Sequence, residues 1–238
     1  MGACGQPIGQ RKDKYPGRAM FPGHGTATPM QPTDPHPSQP HLDPASWGRL
    51  VDSLDIASIF VVIGSWIGPQ FQAAIAVEDI WQETLWLAWR DRQQHTWQHL
   101  VAYRNWLLGI ARHRIDDACR RALRHKRGGG KAATAFTDLG TQDSVSGYLP
   151  PQSTTPSRIA SHRERARVMA SALDRLEVPL RDVVRLRLFE ELPVHSVAEQ
   201  LGIPLSTAKE RLMRGVTRYR DLLGVIEGEG RSRAEPAP

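Results

Sequence analysis

Two cysteines, Cys4 and Cys119, are all that the 238 residues contain. They lie too far apart in number and spacing to make a disulfide framework or a four-ligand zinc site, and they fit a reducing cytoplasm. No stretch approaches the roughly 18 consecutive apolar residues of a membrane span. The N-terminal segment lacks the apolar centre of a signal peptide. Internal repeats are absent, and no alternating strand pattern of useful length occurs. Val61-Val62-Ile63 sits inside a longer apolar run that reads as helix. Gly128-Gly129-Gly130 is not followed by Gly-Lys-Ser/Thr at phosphate-loop spacing, which excludes that motif. The chain therefore reads as all-α, with no metal and no cofactor expected.

What is present is unevenly placed. Residues 1–45 hold nine of the 18 prolines and no apolar period. Such a segment cannot bury enough surface to offset its ordering entropy, so it reads as a disordered tail. A helical block is expected over 46–127, a polar flexible linker over 128–160, a second helical block over 161–224, and a Gly-, Pro- and charge-rich tail over 225–238. As free coil the 33-residue linker would span roughly 30 Å, and fully drawn out about 110 Å. A net charge of +6 and a pI near 9.7 favour a polyanionic partner.

The first block carries three helical signals. Trp47 to Trp66 places Leu50, Leu54, Ile59 and Val62 at helical spacing. In Val77 to Arg90, Ile80, Trp81, Thr84, Leu85 and Ala88 form a core face, while Asp79, Gln82, Glu83, Trp86 and Arg90 form one outer stripe. Glu78 and Asp79 suit a helix N-terminus. From Tyr103 to Arg124, Trp106, Leu107, Ile110, Ala111, Ile115, Ala118 and Ala122 face inward. Arg104, Asn105, Arg112, His113, Asp116, Arg120, Arg121 and Arg124 face outward. Between Arg112 and Arg127 seven Lys/Arg stand against two Asp, a net charge of +5. A solvated basic face explains part of this, as does the preference of cations for a helix C-terminus. The neighbouring Trp97, Tyr103 and Trp106 shift the balance, because flat rings beside cations are what unpaired bases stack on. Trp106 reads mainly as core, and Trp97 as the stacking candidate.

In the second block, Leu180 to Phe189 follows Pro179, a good first-turn residue. Val194 to Leu201 is a short helix that Gly202 ends. The last helix begins at Leu205 or Ser206 and runs to about Leu223, burying Ala208, Leu212, Val216, Tyr219 and Leu223. Its exposed N-terminal end keeps Ser206, Thr207, Lys209, Glu210, Arg211 and Arg214. A short helix, a tight turn and a second, basic helix make a helix-turn-helix, whose second helix fits the DNA major groove. Arginine bridges guanine edges, and Lys, Ser and Thr mostly take phosphates. Glu210 can pair with Arg214 one turn on.

These segments together resemble bacterial sigma factors of the sigma-70 family, of the compact extracytoplasmic-function (ECF) type. Glu78-Asp79, Gln82-Glu83 and Ala88-Trp89-Arg90 resemble that family's polymerase-binding helix. Residues 103–121 (YRNWLLGIARHRIDDACRR) resemble the helix that reads and melts the −10 promoter element. Residues 176–223 resemble region four, including Leu201-Gly202-Ile203, Thr207, Lys209 and Arg211. The resemblance implies two small helical domains, region two and region four, on one flexible linker. It implies core RNA polymerase as partner, through the β′ clamp helices and the β flap, and promoter DNA as ligand. Asp79, Gln82, Glu83, Trp86 and Arg90 would meet polymerase. Trp97, Arg104, Asn105, Arg112, His113, Arg120, Arg121 and Arg124 would meet the melted −10 element. Ser206, Thr207, Lys209, Glu210, Arg211 and Arg214 would meet the −35 duplex. An anti-sigma factor is a further partner that the resemblance allows. Ala208 and Glu210 depart from the family's commoner choices, so no promoter sequence carries over.

Two other classes compete. A two-domain regulator would use 46–127 as a ligand or dimerisation domain, and the basic stretch beside aromatics argues against it. A nucleic-acid enzyme would need Asp79 and Glu83, or Asp116 and Asp117, to hold a metal. No third ligand converges on either pair in sequence, and acids are expected at a helix start in any case.

Overall fold

The structure, a computed structural model, describes residues 43–97, 99–126 and 151–234. Nearly all of the predicted 1–45 tail and residues 128–150 of the predicted linker lie outside the described residues. The described residues are all-α, with no strand among them. Eight α-helices follow in order: α1 Pro44–Asp52, α2 Ile56–Trp66, α3 Val77–Asp91, α4 Leu100–Lys126, α5 Pro156–Asp174, α6 Val178–Val184, α7 Val194–Leu201 and α8 Leu205–Ala234.

Several boundaries differ from the sequence expectation, each for a local reason. The signal from Trp47 to Trp66 is two helices. Asp43 caps α1 by accepting from the Ser46 amide at 2.8 Å, and the chain breaks at Ser53–Asp55 before α2 starts. Helix α5 begins inside the predicted linker. Pro156 pre-sets its first turn, and Asp52 ties the preceding segment down by accepting from the Gln152 and Ser153 amides at 3.2 and 2.8 Å. Helix α8 runs to Ala234, ten residues beyond the predicted end of order at 224. Ile226 still packs on the core there, although Gly224 and Gly228 interrupt the pattern.

Helix α2 sets the architecture. Ile56 to Ile63 are buried without exception, so the helix has no solvent face over these two turns. A helix that is apolar all round must be covered on every side. Helices α3 and α4 cover part of it, and α5 covers the rest. One hydrophobic core thus runs from Trp47 through Ile59, Trp81 and Leu107 to Leu173, Val184 and Tyr219. The two predicted helical blocks share a core.

Within the second block, α6, α7 and α8 pack around Val183, Leu186 and Val197. Gly202 ends α7 in the left-handed region, at φ 64°. Gly215 lets α8 approach α6 closely. A β-carbon there would lie 2.6 Å from a methyl of the fully buried Val184 and 3.3 Å from the Leu180 carbonyl. Helix propensity favours alanine over glycine by about 1 kcal/mol, but overpacking a rigid contact outweighs it. Gly215→Ala is expected to destabilise the fold by about 1–2 kcal/mol, read as a lowered urea midpoint at unchanged slope.

Candidate nucleic-acid interface

The second helix of the predicted helix-turn-helix is the N-terminal part of α8, which starts at Leu205. Pro204 offers its carbonyl to the Ala208 amide at 3.0 Å, and the Ile203 amide closes the preceding turn on Ala198 at the same distance. Ala208 is fully buried, which anchors the helix start on α7. Ser206, Lys209, Glu210 and Arg214 are exposed, while Thr207 and Arg211 are half-buried. Glu210 and Arg214 pair at 3.6 Å, the i,i+4 pair expected. Exposed surface pairs of this kind contribute little to stability. The face that remains is mixed polar and basic, and it also shows Met213.

The second basic surface lies along α4. Asn105, Arg112, His113, Arg120, Arg121 and Arg124 are all exposed, in line with their predicted outward register. Asp117 takes Arg114 and Arg120, the latter at 3.2 Å. Arg121 reaches Glu83 of α3 at 3.9 Å, which ties the basic helix to the acidic stripe. Arg112 lies 5.0 Å over the Trp66 ring, within cation–π range.

The aromatic residues form one connected group at the N-terminal end of α4. Trp47 meets Trp89 and Tyr103 edge-on at 5.8 and 5.6 Å. Trp97 meets Tyr103 at 4.9 Å and Trp106 at 4.6 Å, and His95 meets Trp106 at 4.7 Å. Arg92 sits 3.4 Å over Trp89. The sequence separated Trp97 as a stacking platform from Trp106 as core. In the fold both are half-buried members of the same cluster.

On α3 the predicted outer stripe divides. Asp79, Gln82 and Arg90 are exposed and Glu83 is half-buried, but Trp86 is buried. Arg90 lies 5.6 Å over the Trp86 ring and pairs with Asp91 at 2.7 Å. An indole set one position inside a polar stripe has apolar area enough to favour burial over solvent.

Arg104 is the larger correction. The sequence turned it outward towards DNA, and the fold leaves it 4% exposed. Its guanidinium donates to the Phe189 carbonyl, approaches Ser58 Oγ at 3.5 Å and pairs with Glu191 at 3.3 Å. Burial pushes its pKa down, and the charges of Glu191, Asp55 and Glu190 oppose that fall. Its position on α4 is covered by Phe189 and Glu191 of the second block, which the local pattern of the first block does not reveal. A periodicity that counts one block alone leaves this position free.

The partners of Arg104 were also missed. Arg185–Phe189 forms a π-helical turn, and Glu190 and Glu191 follow it. Glu190 is buried and bonded to Arg185. Burial raises its pKa, against the lowering effect of Arg185, a hydrogen bond from Trp66, Arg112 and Arg104. Glu191 stands at φ 58°, the only non-glycine with positive φ among the described residues. That conformation costs roughly 1–2 kcal/mol for a residue with a β-carbon. The sequence signal was the acid pair closing an otherwise apolar and basic helix. Arg104→Ala is expected to lower the unfolding free energy by about 3 kcal/mol, because it strands a buried carbonyl and carboxylates. Arg120→Ala should stay within about 0.5 kcal/mol. Equal urea midpoints for the two variants would contradict the buried assignment.

No group of three or more His, Cys, Asp or Glu side chains able to hold a metal occurs among the described residues, and no described helix is long and apolar enough to cross a membrane.

Residues 166–218, which run from α5 through the recognition helix, match the family described as Sigma-70, region 4. The chain is also 26% identical over 153 residues to the RNA polymerase sigma factor HrpL of Pseudomonas syringae pv. syringae, covering 64% of this chain and 76% of the relative. That similarity is about three times as long as the region 4 match and so extends well beyond it. The described residues are all-helical, and the chain is thus similar to Sigma-70 region 4 over its second block and to a protein named as an RNA polymerase sigma factor over a longer stretch.

Proposed function

We propose that the chain directs core RNA polymerase to a particular class of promoters by reading the −35 duplex with α8 and the melted −10 element with α4. The observation that carries this reading is the start of α8. A left-handed glycine turn presents Ser206, Lys209, Glu210 and Arg214 on an exposed helix face, inside the region 4 match. A helix so presented fits the major groove. Lys209 supplies a phosphate contact, and Arg214 and Glu210 face base edges.

The −10 function falls to α4 and the loop before it. Asn105, Arg112, His113, Arg120, Arg121 and Arg124 give a cationic track for a single strand. The Trp97–Trp106–His95 cluster beside it offers ring faces on which an unpaired base stacks. Arg104 is not assigned to DNA, since its guanidinium is held inside the protein. The exposed Asp79, Gln82 and Arg90 with Glu83 on α3 would dock on the β′ clamp helices, and the second block would contact the β flap. The protein supplies specificity, and polymerase supplies the chemistry. The similarity to a protein named as an RNA polymerase sigma factor supports this division over a free-standing regulator.

Run-off transcription with bacterial core polymerase on a library of promoter-like templates tests the reading. Discrete start sites that depend on the added chain are expected; their absence on every template, with duplex binding retained, would favour the regulator. Lys209→Ala should lower the salt slope of duplex binding by about one. Asp79→Ala with Glu83→Ala should weaken core binding by roughly tenfold and leave duplex binding unchanged.

A further inference from the structure

Helix α8 is seated with its rotation about its own axis fixed. Ala208 is fully buried, Leu212 packs on the Val183–Leu186–Val197 cluster, Gly215 leaves no room for a β-carbon beside Val184, and Tyr219 is buried. These four stand at helical spacing and form one inner stripe. The opposite stripe is Ser206, Lys209, Glu210, Met213, Arg214 and Thr217, all exposed. Every member but Met213 is polar or charged. Met213 is 74% exposed, more than any other large hydrophobic side chain among the described residues. The inner stripe holds the helix so that this side chain cannot turn in.

A single hydrophobic side chain on a surface is ordinary in itself. Its place on the face that the Gly202 turn presents is what gives Met213 a meaning. Its neighbours one turn away are Glu210, which pairs with Arg214 at 3.6 Å, and Thr217, whose hydroxyl donates to the Met213 carbonyl at 3.1 Å. The floor of the major groove carries hydrogen-bond donors and acceptors on all four bases and one apolar group, the 5-methyl of thymine. A thioether is at best a weak acceptor. Pressed on a polar base edge, it would strand that edge without a partner. Pressed on a methyl group, it buries apolar surface on both sides, and its unbranched chain adapts to the contact.

We propose that Met213 is a base-reading residue that takes the 5-methyl group of a thymine in the −35 duplex. This rests on the promoter reading above and names part of what that reading recognises. Side chains three or four apart on a helix stand about 5–6 Å from each other, and base pairs stack about 3.4 Å apart. The thymine therefore lies within about two base pairs of the edge that Glu210 and Arg214 meet. Specificity at that position comes from a methyl group, while the polar members of the stripe read hydrogen-bonding edges and phosphates.

Removing the methyl group from the DNA tests the assignment, with the full chain bound to bacterial core polymerase. Templates that give chain-dependent starts in the run-off library are rebuilt with deoxyuridine at each upstream thymine in turn. The change deletes the methyl and keeps every hydrogen-bonding edge. Competition between the thymine and deoxyuridine templates reads the cost. With the parent chain, one position in the −35 duplex is expected to cost about fourfold, the effect of one buried methyl group. Met213→Ala should lose about the same factor on the thymine template and nothing further when that thymine becomes deoxyuridine, while Met213→Leu keeps the preference for the methyl. Because the side chain is exposed, both variants should keep the parent's urea midpoint. A methyl cost equal in Met213→Ala and the parent at every position, or no −35 methyl cost in the parent, overturns the assignment and leaves the promoter reading standing. A Met213→Ala loss that appears as weaker binding to core polymerase places the side chain at a protein contact and overturns the assignment too. No chain-dependent start on any template overturns the promoter reading, and the assignment with it.

Discussion

Helix α2 is the constraint from which the rest of the arrangement follows. Eight successive residues, Ile56 to Ile63, are apolar or small and all are buried. A helix with no polar face cannot stand at a surface. The first block alone supplies α3 and α4 as cover, and a third face remains. Helix α5 takes that face and brings α6, α7 and α8 with it. Burying a full Ile or Phe side chain is worth roughly 1.5–3 kcal/mol, so an uncovered α2 face would be a large penalty for a domain of this size.

Polar chemistry then specifies how the cover sits. Apolar packing is tolerant of small rotations, whereas a buried guanidinium needs its acceptors in fixed places. Arg104 provides that register through Ser58 on α2, the Phe189 carbonyl and Glu191. Glu190 is held beside it by Arg185, with Trp66 and Arg112 close by. Buried ionic groups of this type add little net stability and penalise heavily any arrangement that leaves them unpaired. They give the inter-block contact a single geometry.

Much of this was legible in the sequence, and the exceptions share one cause. The all-helical class, α3, α7, the start of α8 and the exposed ends of Lys209, Arg120 and Arg124 follow from patterns within ten to twenty residues. So do the glycine turn at Gly202 and the Glu210–Arg214 pair. Arg104, Trp86 and the 156–160 start of α5 do not. Arg104 reads as exposed because its cover, Phe189 to Glu191, lies 85 residues on in the chain. Helix α5 has few apolar positions and many arginines, so its pattern resembles a linker until Asp52 and α2 are set beside it. Local periodicity reports one face of one helix, and a second buried face appears only when the distant partner is known.

The central claim is that the two helical blocks share one core around α2 and the buried Arg104. Pulsed-dipolar distance measurement between labels at Arg120→Cys on α4 and Arg220→Cys on α8, with the native cysteines replaced by serine, addresses it directly. One narrow distance distribution in the free chain is the predicted result. A broad, long distribution in the free chain would contradict it.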